Sequence, residues 1–257
     1  WTPENYDRQF RGPVTVRQAV EQSLNVPMAR VGLDVGPDAI VEWAHKAGLS
    51  GRLPAQPSIA LGAGEVTPVD LATAYATLAT LGVRHAPLLV KAVRKGPGED
   101  PIALAPPPEP REALPAEFCW MVLDCMTGVI ERGTGKELSA VTAGVRVAGK
   151  TGTTQEGRDA WFGLITGGAV VVADRCTGQR VSARVRVCFR RSCRAPHRNV
   201  GLALKQRAPQ RLDHFVLLAL RELRVQGERQ ASFMHRHRIR KLLGSQSEPF
   251  AVIGKRH

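Results

Sequence analysis

The sequence predicts an α+β fold in which a series of short helices precedes a β-strand. Several stretches of the first 130 residues repeat apolar side chains at helical spacing, and most of them carry recognisable helix caps. The stretch GVRVAGKTGTT at 144–154 alternates instead with the period of a strand. With 257 residues, of which 43% are hydrophobic, the chain is long enough for one large domain or two small ones.

The first three helices are predicted mainly from their ends. In VTVRQAVEQSLN, Thr15 followed three residues later by Gln18 forms a capping-box pattern, and we expect this helix to end around Ser23–Asn25. Pro27 suits the first turn of a second helix. The stretch at 36–48 predicts a third helix, because a proline stands at its start and a glycine at its end.

Two longer helices follow. In EVTPVDLATAYATLATLG, Thr67 is placed to cap the helix, Pro68 to open it and Gly82 to close it. The stretch 116–130 is also amphipathic, and we expect its two cysteines to be buried free thiols.

The predicted strands are fewer and shorter. LLVKAVR at 88–94 alternates like a strand, and the proline-rich stretch at 95–110 predicts a surface loop. In the later strand, Val145 and Val147 are predicted to share one face. Beyond residue 163, AVVVA could form a strand and FVLLALREL a short helix, but caps, turns and periodicity no longer support one another.

The charge is divided unevenly along the chain. Residues 1–163 contain 16 basic and 18 acidic residues, whereas residues 164–257 contain 20 and 5. We therefore expect one domain over 1–163 and an arginine-rich tail over 164–257, whose abrupt composition suggests a reading-frame shift or a chimaeric join. No basic-then-apolar leader and no apolar run approaching ~18 residues is found, so neither a signal peptide nor a membrane span is expected in this chain.

Two short motifs could carry chemistry. Ser23-Leu24-Asn25 stands where a helix is predicted to end, and Lys150-Thr151-Gly152-Thr153 lies on the predicted strand. Serine acyl-transferases that act on D-alanyl peptides and β-lactams combine S-x-x-K, S-D-N and K-T-G motifs. A hydroxyl beside an amine can relay a proton, and a strand edge with a glycine can pair with an extended peptide. Taken alone, the first motif is also an ordinary helix C-terminal turn, and the second an ordinary strand end with a solvated lysine.

The long stretches around these motifs point to a family. WTPENYDRQFRGPVTVRQAVEQSLNVPMARV, IALGAGEVTPVDLATAYATLATLG and RGTGK…VAGKTGTTQEGRDAWF resemble, in this order, blocks of the transpeptidase domain of bifunctional (class A) penicillin-binding proteins. The resemblance runs from Trp1 to about Phe162. It implies the serine β-lactamase/D,D-transpeptidase-like fold, a five-stranded antiparallel sheet with helices on both sides. Of this fold we expect the helical half plus the K-T-G strand, followed by the poorly defined basic tail.

The resemblance also implies an activity. The family cross-links peptidoglycan through a serine acyl-enzyme formed with D-Ala-D-Ala stem peptides, is acylated by β-lactams, and needs no metal or organic cofactor. The parent protein would be anchored in the inner membrane and face the periplasm. By motif match, Ser23 would relay a proton, Asn25 would position the substrate amide and Lys150 would be the cationic partner of Ser23. The expected substrate-binding residues are Thr151, Gly152, Thr153 and Thr154, with the Thr153 amide in the oxyanion hole.

The sequence departs from this pattern in two ways. None of its nine serines is followed three residues later by lysine, so the S-x-x-K nucleophile motif is absent and we expect the chain to be inactive as given. The tail bears no resemblance to the family. As an alternative function, the arginine-rich residues 175–241 could bind a polyanion, nucleic acid or anionic membrane, but the expected partner is the peptidoglycan stem peptide and not nucleic acid. His235 and His237 are poor metal ligands among arginines.

Overall fold

The computed structural model describes residues 1–88, 90, 92–102, 104–140, 142, 145–153, 159–176 and 184–188. The helices come first and a sheet follows, as the sequence predicts. Five α-helices are present in this part of the chain: α1 Val16–Glu21, α2 Asn25–Val35, α3 Pro37–Ala47, α4 Pro68–Ala79 and α5 Ala116–Glu131. Two 3₁₀ helices accompany them, Pro57–Leu61 and Lys136–Leu138.

The strands form two sheets of different size. The described strands are β1 Val83–Arg84, β2 Arg111–Glu112, β3 Ala148–Thr153, β4 Asp159–Ile165, β5 Ala169–Cys176 and β6 Arg184–Cys188. The first two form a short antiparallel pair, and the other four form an antiparallel sheet in the order β3-β4-β5-β6. Among these strands, β3 therefore lies at an edge of the larger sheet.

The capping residues act as the sequence predicts. The Thr15 side chain accepts a hydrogen bond from the Gln18 amide, and the Gln18 side chain accepts one from the Thr15 amide, which completes the capping box of α1. Thr67 caps α4 by accepting from the Asp70 amide. Helix α4 ends at Ala79 rather than at Gly82.

The core lies between the sheet and the last two helices. Val170 and Val172 of β5 are fully buried and belong to one apolar cluster with Ala72 and Ala76 of α4. A second cluster joins Ile130 of α5 to Leu138 of the second 3₁₀ helix, to Val147 just before β3, and to Phe162 and Leu164 of β4. Burial of these side chains holds β3 and β4 against α4 and α5.

Two strand predictions need correction. Within the described part of 88–94, the segment makes only an isolated bridge between Val93 and Ile102, and Val90 is 53% exposed. An alternating pattern forms a strand only where a neighbour supplies a ladder of hydrogen bonds and covers one face, whereas in the described part of the following proline-rich loop Ile102 supplies a single bridge. Val145 precedes β3 and is 44% exposed, so of the two valines only Val147 faces the core.

The sheet extends further than the helical half plus one strand that the sequence predicts. Residue 163 lies inside β4, and β5 pairs with β4 from Val170 to Cys176. The predicted strand AVVVA is thus part of β5, whereas the predicted helix at 215–223 lies outside the described residues. No helix among the described residues is long and apolar enough to cross a membrane.

Candidate functional site

The two predicted motifs meet at the edge of the sheet. Lys150 Nζ donates a hydrogen bond to Ser23 Oγ at 2.5 Å, although the two residues are 127 positions apart in the chain. Lys150 Nζ also donates to the Thr151 carbonyl oxygen at 2.8 Å. Apart from the two motifs, no feature of the sequence points to this contact. The two residues meet because the fold brings the end of α1 next to β3.

Ser23 reaches Lys150 from a tight turn. Immediately after α1 the chain reverses, with the Ser23 amide donating to the Val20 carbonyl and the Leu24 amide donating to the Ala19 carbonyl. Ser23 has a φ of 53°, in the left-handed region that non-glycine residues rarely adopt. Such strain is retained where surrounding contacts fix the backbone, and it is common at functional sites.

Burial changes the acid–base behaviour of the lysine. Lys150 pairs with Gly163 across β3 and β4, and paired residues in antiparallel strands project to the same face of a sheet. On that face the Tyr75 ring lies against Gly163, because a Cβ added at this glycine would be 1.8 Å from Tyr75 Cε2. Loss of water around the ammonium group lowers the pKa of Lys150 to about 8, and burial raises the pKa of Tyr75 to about 12.

The lowered pKa makes Lys150 a usable proton carrier. An amine with a pKa near 8 is present in both its charged and neutral forms around neutral pH, whereas an ordinary lysine is almost wholly charged. A group with this property that also contacts a hydroxyl can move a proton to or from that hydroxyl. The contact places the two groups for such a transfer, and the proton-relay role of Ser23 and Lys150 stays a prediction.

The residues predicted to bind substrate follow along the same strand. Thr151 is half-buried, and its Oγ1 lies 2.9 Å from Thr134 Oγ1, so the two hydroxyls share a hydrogen bond. Gly152 and Thr153 are exposed at the end of β3. Thr154 lies outside the described residues. Thr134 contacts a predicted site residue and was not singled out from the sequence, although it lies in the RGTGK block that resembles the family.

Asn25 has a different environment from the lysine–serine pair. It is the first residue of α2, and its Nδ2 donates to the Glu4 carbonyl oxygen at 2.8 Å. The buried Asn5 side chain holds the same segment against α2, since Asn5 Oδ1 accepts from the Val26 amide. The structure therefore joins Ser23 to Lys150, whereas the Asn25 amide nitrogen is bound to the N-terminal segment.

No group of three or more histidine, cysteine, aspartate or glutamate side chains that could hold a metal is found among the described residues. Cys119 is buried and Cys125 half-buried, and both are free thiols. Of the alternative polyanion-binding segment 175–241, only the strand backbone at 175–176 and 184–188 is described. Polyanion binding and the poor metal affinity of His235 and His237 stay predictions.

Comparison with known proteins gives consistent results. A family model described as the penicillin binding protein transpeptidase domain matches residues 1–161. Penicillin-binding protein 1B of Escherichia coli (strain K12) is 37% identical over 176 residues, which are 67% of this chain and 20% of that protein. Penicillin-binding protein 1A of Aquifex aeolicus is 36% identical over 162 residues, 63% of this chain and 22% of that protein. The chain thus spans about a fifth of the length of these relatives.

Solved structures show the same fold. Penicillin-binding protein 1A from Haemophilus influenzae superposes with a TM-score of 0.62 at 21% identity, over 70% of this chain and 33% of that one. The D,D-transpeptidase domain of a peptidoglycan glycosyltransferase from Eggerthella lenta gives 0.57 at 24% identity, over 87% of this chain and 56% of that one. The predicted fold class is confirmed by these similarities.

Proposed function

Because the chain belongs to the penicillin-binding protein transpeptidase domain family, we propose that it carries part of the acyl-transfer site that cross-links peptidoglycan. The contact between Lys150 and Ser23 carries this proposal. In a transpeptidase, a nucleophilic serine attacks the carbonyl of the penultimate D-alanine, and the leaving amine must receive a proton. A lysine with a lowered pKa beside a second serine hydroxyl is suited to deliver that proton.

The edge of β3 would hold the substrate. An extended D-alanyl peptide, or a β-lactam in its place, would pair with the edge strand, as peptides do at exposed sheet edges. Thr151 and Thr153 would bind the terminal carboxylate together with Thr154, and the Thr153 amide would stabilise the oxyanion. Gly152 would allow the substrate backbone to approach, and Asn25 would hold the substrate amide after releasing Glu4.

The nucleophile itself is not among the 257 residues, since no serine is followed three positions later by lysine. We propose that the chain alone forms no acyl-enzyme with peptide or β-lactam. We also propose that the parent protein is anchored in the inner membrane with this domain at the periplasmic face, where its stem-peptide substrate is found. No metal or organic cofactor has a part in the proposed chemistry.

Covalent labelling with a fluorescent penicillin tests the proposal. The purified chain should show no fluorescent band after denaturing electrophoresis, because a stable acyl-enzyme needs the missing serine. A chimaera in which the S-x-x-K segment of the E. coli relative precedes Trp1 should become labelled. In that chimaera Lys150→Ala should slow labelling by about 100-fold, which is typical for loss of a general acid–base, whereas Lys136→Ala at an exposed lysine should not.

Each arm of this experiment can contradict a separate statement. Labelling of the chain alone would show that it contains a nucleophile. A chimaera that folds, as judged by a cooperative melt, yet labels equally fast with and without Lys150 would remove the proposed role of the lysine–serine pair.

A further inference from the structure

An ion pair between a buried glutamate and a half-exposed arginine joins the two segments that supply the hydroxyls of the site. Arg132 donates to Glu21 through Nε at 2.9 Å and through Nη2 at 2.6 Å, across 111 residues of sequence. The Glu21 side chain is 6% exposed and that of Arg132 is 51% exposed. A bidentate guanidinium–carboxylate contact fixes orientation as well as distance. The contact therefore sets how α1 and α5 end relative to each other.

Backbone contacts reinforce the ion pair. The Thr134 amide donates to the Glu21 carbonyl at 3.1 Å, and Gln22 Nε2 donates to the Arg132 carbonyl at 3.2 Å. The approach is too close for a side chain at position 133, where an added Cβ would be 2.1 Å from the Glu21 carbonyl oxygen. The two chain segments are thus in direct contact.

Each member of the ion pair is followed two residues later by a hydroxyl that contacts β3. Ser23 follows Glu21 and binds Lys150 at 2.5 Å, while Thr134 follows Arg132 and binds Thr151 at 2.9 Å. The contacts therefore form a closed ring that runs from the ion pair through the two hydroxyls to neighbouring residues of β3. A ring of this kind resists displacement of any one member, because moving one hydroxyl requires the others to move as well.

From this geometry we propose that Glu21 and Arg132 are a positioning pair, which holds the Ser23 and Thr134 hydroxyls against Lys150 and Thr151. Neither residue would touch the substrate. The proposal rests on the proposed function for its biological meaning, but the positioning itself can be measured without any substrate. Among the described residues, the other charged groups near the pair include Glu131, whose Oε2 accepts from Arg132 Nη1 at 3.1 Å, and Arg17, which lies 3.8 Å from Glu21 Oε1. Arg17 also pairs with Asp124. None of these contacts reaches either hydroxyl.

The proton affinity of Lys150 reports on this positioning. If the pair is lost, the Ser23 turn and the Thr134 loop can separate from β3, and water can reach the ammonium group. The pKa of Lys150, about 8 in the intact protein, should then rise toward the ordinary value of 10.5. A role confined to overall stability would lower the melting temperature without changing this titration.

The experiment follows the ¹³Cε resonance of Lys150 through a pH titration of the full chain, assigned by its loss in Lys150→Arg. Glu21→Ala and Arg132→Ala should raise the titration midpoint by about one pH unit or more, and Arg132→Lys, which keeps one charged contact, by less. The matched control is Glu42→Gln, which breaks the exposed Glu42–Lys46 pair of α3 and should leave the midpoint unchanged.

A midpoint that stays near 8 in both alanine variants, with lowered melting temperatures, would overturn the proposal. If Glu21→Ala does not fold, Arg132→Ala and Arg132→Lys decide the question, because the half-exposed arginine leaves no buried cavity when it is shortened. Failure of the penicillin-labelling test would remove the proposed function and leave this titration unaffected, so the two failures are distinguishable.

Discussion

Replacing Lys150 with methionine should change how the stability of the protein depends on pH. Methionine fills nearly the same volume without a charge, so the variant removes the ionisable group and leaves little change in side-chain volume. The pKa of Lys150 falls from 10.5 in the unfolded chain to about 8 in the folded protein. Between these values the unfolded state binds more protons, so the stability of the wild type rises with pH over this window.

The size of the effect follows from the same two values. The full shift corresponds to about 3 kcal/mol of stability that is missing below pH 8 and regained as the pH approaches 10.5. Between pH 7 and pH 9.5 the wild type should therefore gain about 2 kcal/mol that Lys150→Met does not gain. At pH 7 the variant also loses two hydrogen bonds, worth about 1 kcal/mol each, so it should be more stable than the wild type by only about 1 kcal/mol.

Urea denaturation at pH 7 and pH 9.5, with a reductant to keep the cysteines free, gives the free energy of unfolding of both proteins. It therefore measures the gain of the wild type between the two pH values and its difference from Lys150→Met at pH 7. Burial raises the pKa of Cys119 from 9.0 to about 11. The thiol therefore stays protonated to a higher pH in the folded protein than in the unfolded chain, and the stability of both proteins falls above pH 9. This contribution cancels in the difference between the two proteins. Lys136→Met, at an exposed lysine, should follow the wild type at both pH values. If the free energies of unfolding of the wild type and Lys150→Met differ by the same amount at the two pH values, the argument that burial lowers the pKa of Lys150 is refuted.

Three further changes test the packing around the site. Gly163→Ala should lower the free energy of unfolding by about 2 kcal/mol in urea denaturation, because the new methyl group meets the Tyr75 ring. Gly152→Ala should lower it by less than half as much, because a Cβ added there has its nearest neighbour 3.5 Å away. Equal losses would contradict the close packing. Ser23→Gly should relieve the left-handed backbone and leave stability unchanged or raised by up to about 1 kcal/mol, and a loss above 1 kcal/mol would show that the hydroxyl contact outweighs the strain. A chain that ends at Asp174 should keep a cooperative urea transition. A chain that ends at Gly163 lacks β5 and should lose the cooperative transition, so cooperative unfolding of this shorter chain would disprove the prediction.

Local signals were sufficient for the helices. A cap is a contact between residues three positions apart, so Thr15 with Gln18 and Thr67 with Asp70 could be found by spacing alone. Strands depend on a partner that the sequence does not identify. The alternation at 88–94 was therefore misleading, because the described part of that segment has only one bridge, between Val93 and Ile102.

The site was predictable only in part for the same reason. Motif residues such as Ser23 and Lys150 could be named because the long stretches around them resemble a known family, and the structure shows them in contact. Glu21 and Arg132 could not, since a glutamate and an arginine 111 positions apart look like any other surface charges until the fold pairs them. Thr134 is a similar case, because a threonine after a glycine has no distinctive pattern and becomes a site residue only through its contact with Thr151.

The sheet also changes where the two parts of the chain should be divided. Residues 164–174 contain no basic residue, and Ile165, Val170 and Val172 among them are buried in the same cluster as α4. All 20 basic residues of the tail lie from Arg175 onward, where only four acidic residues accompany them. A foreign segment would not be expected to supply three core side chains in register with β4. We therefore infer that any chimaeric join or frame shift lies after Asp174 rather than near residue 163, which sequencing across that codon in an independent isolate would test.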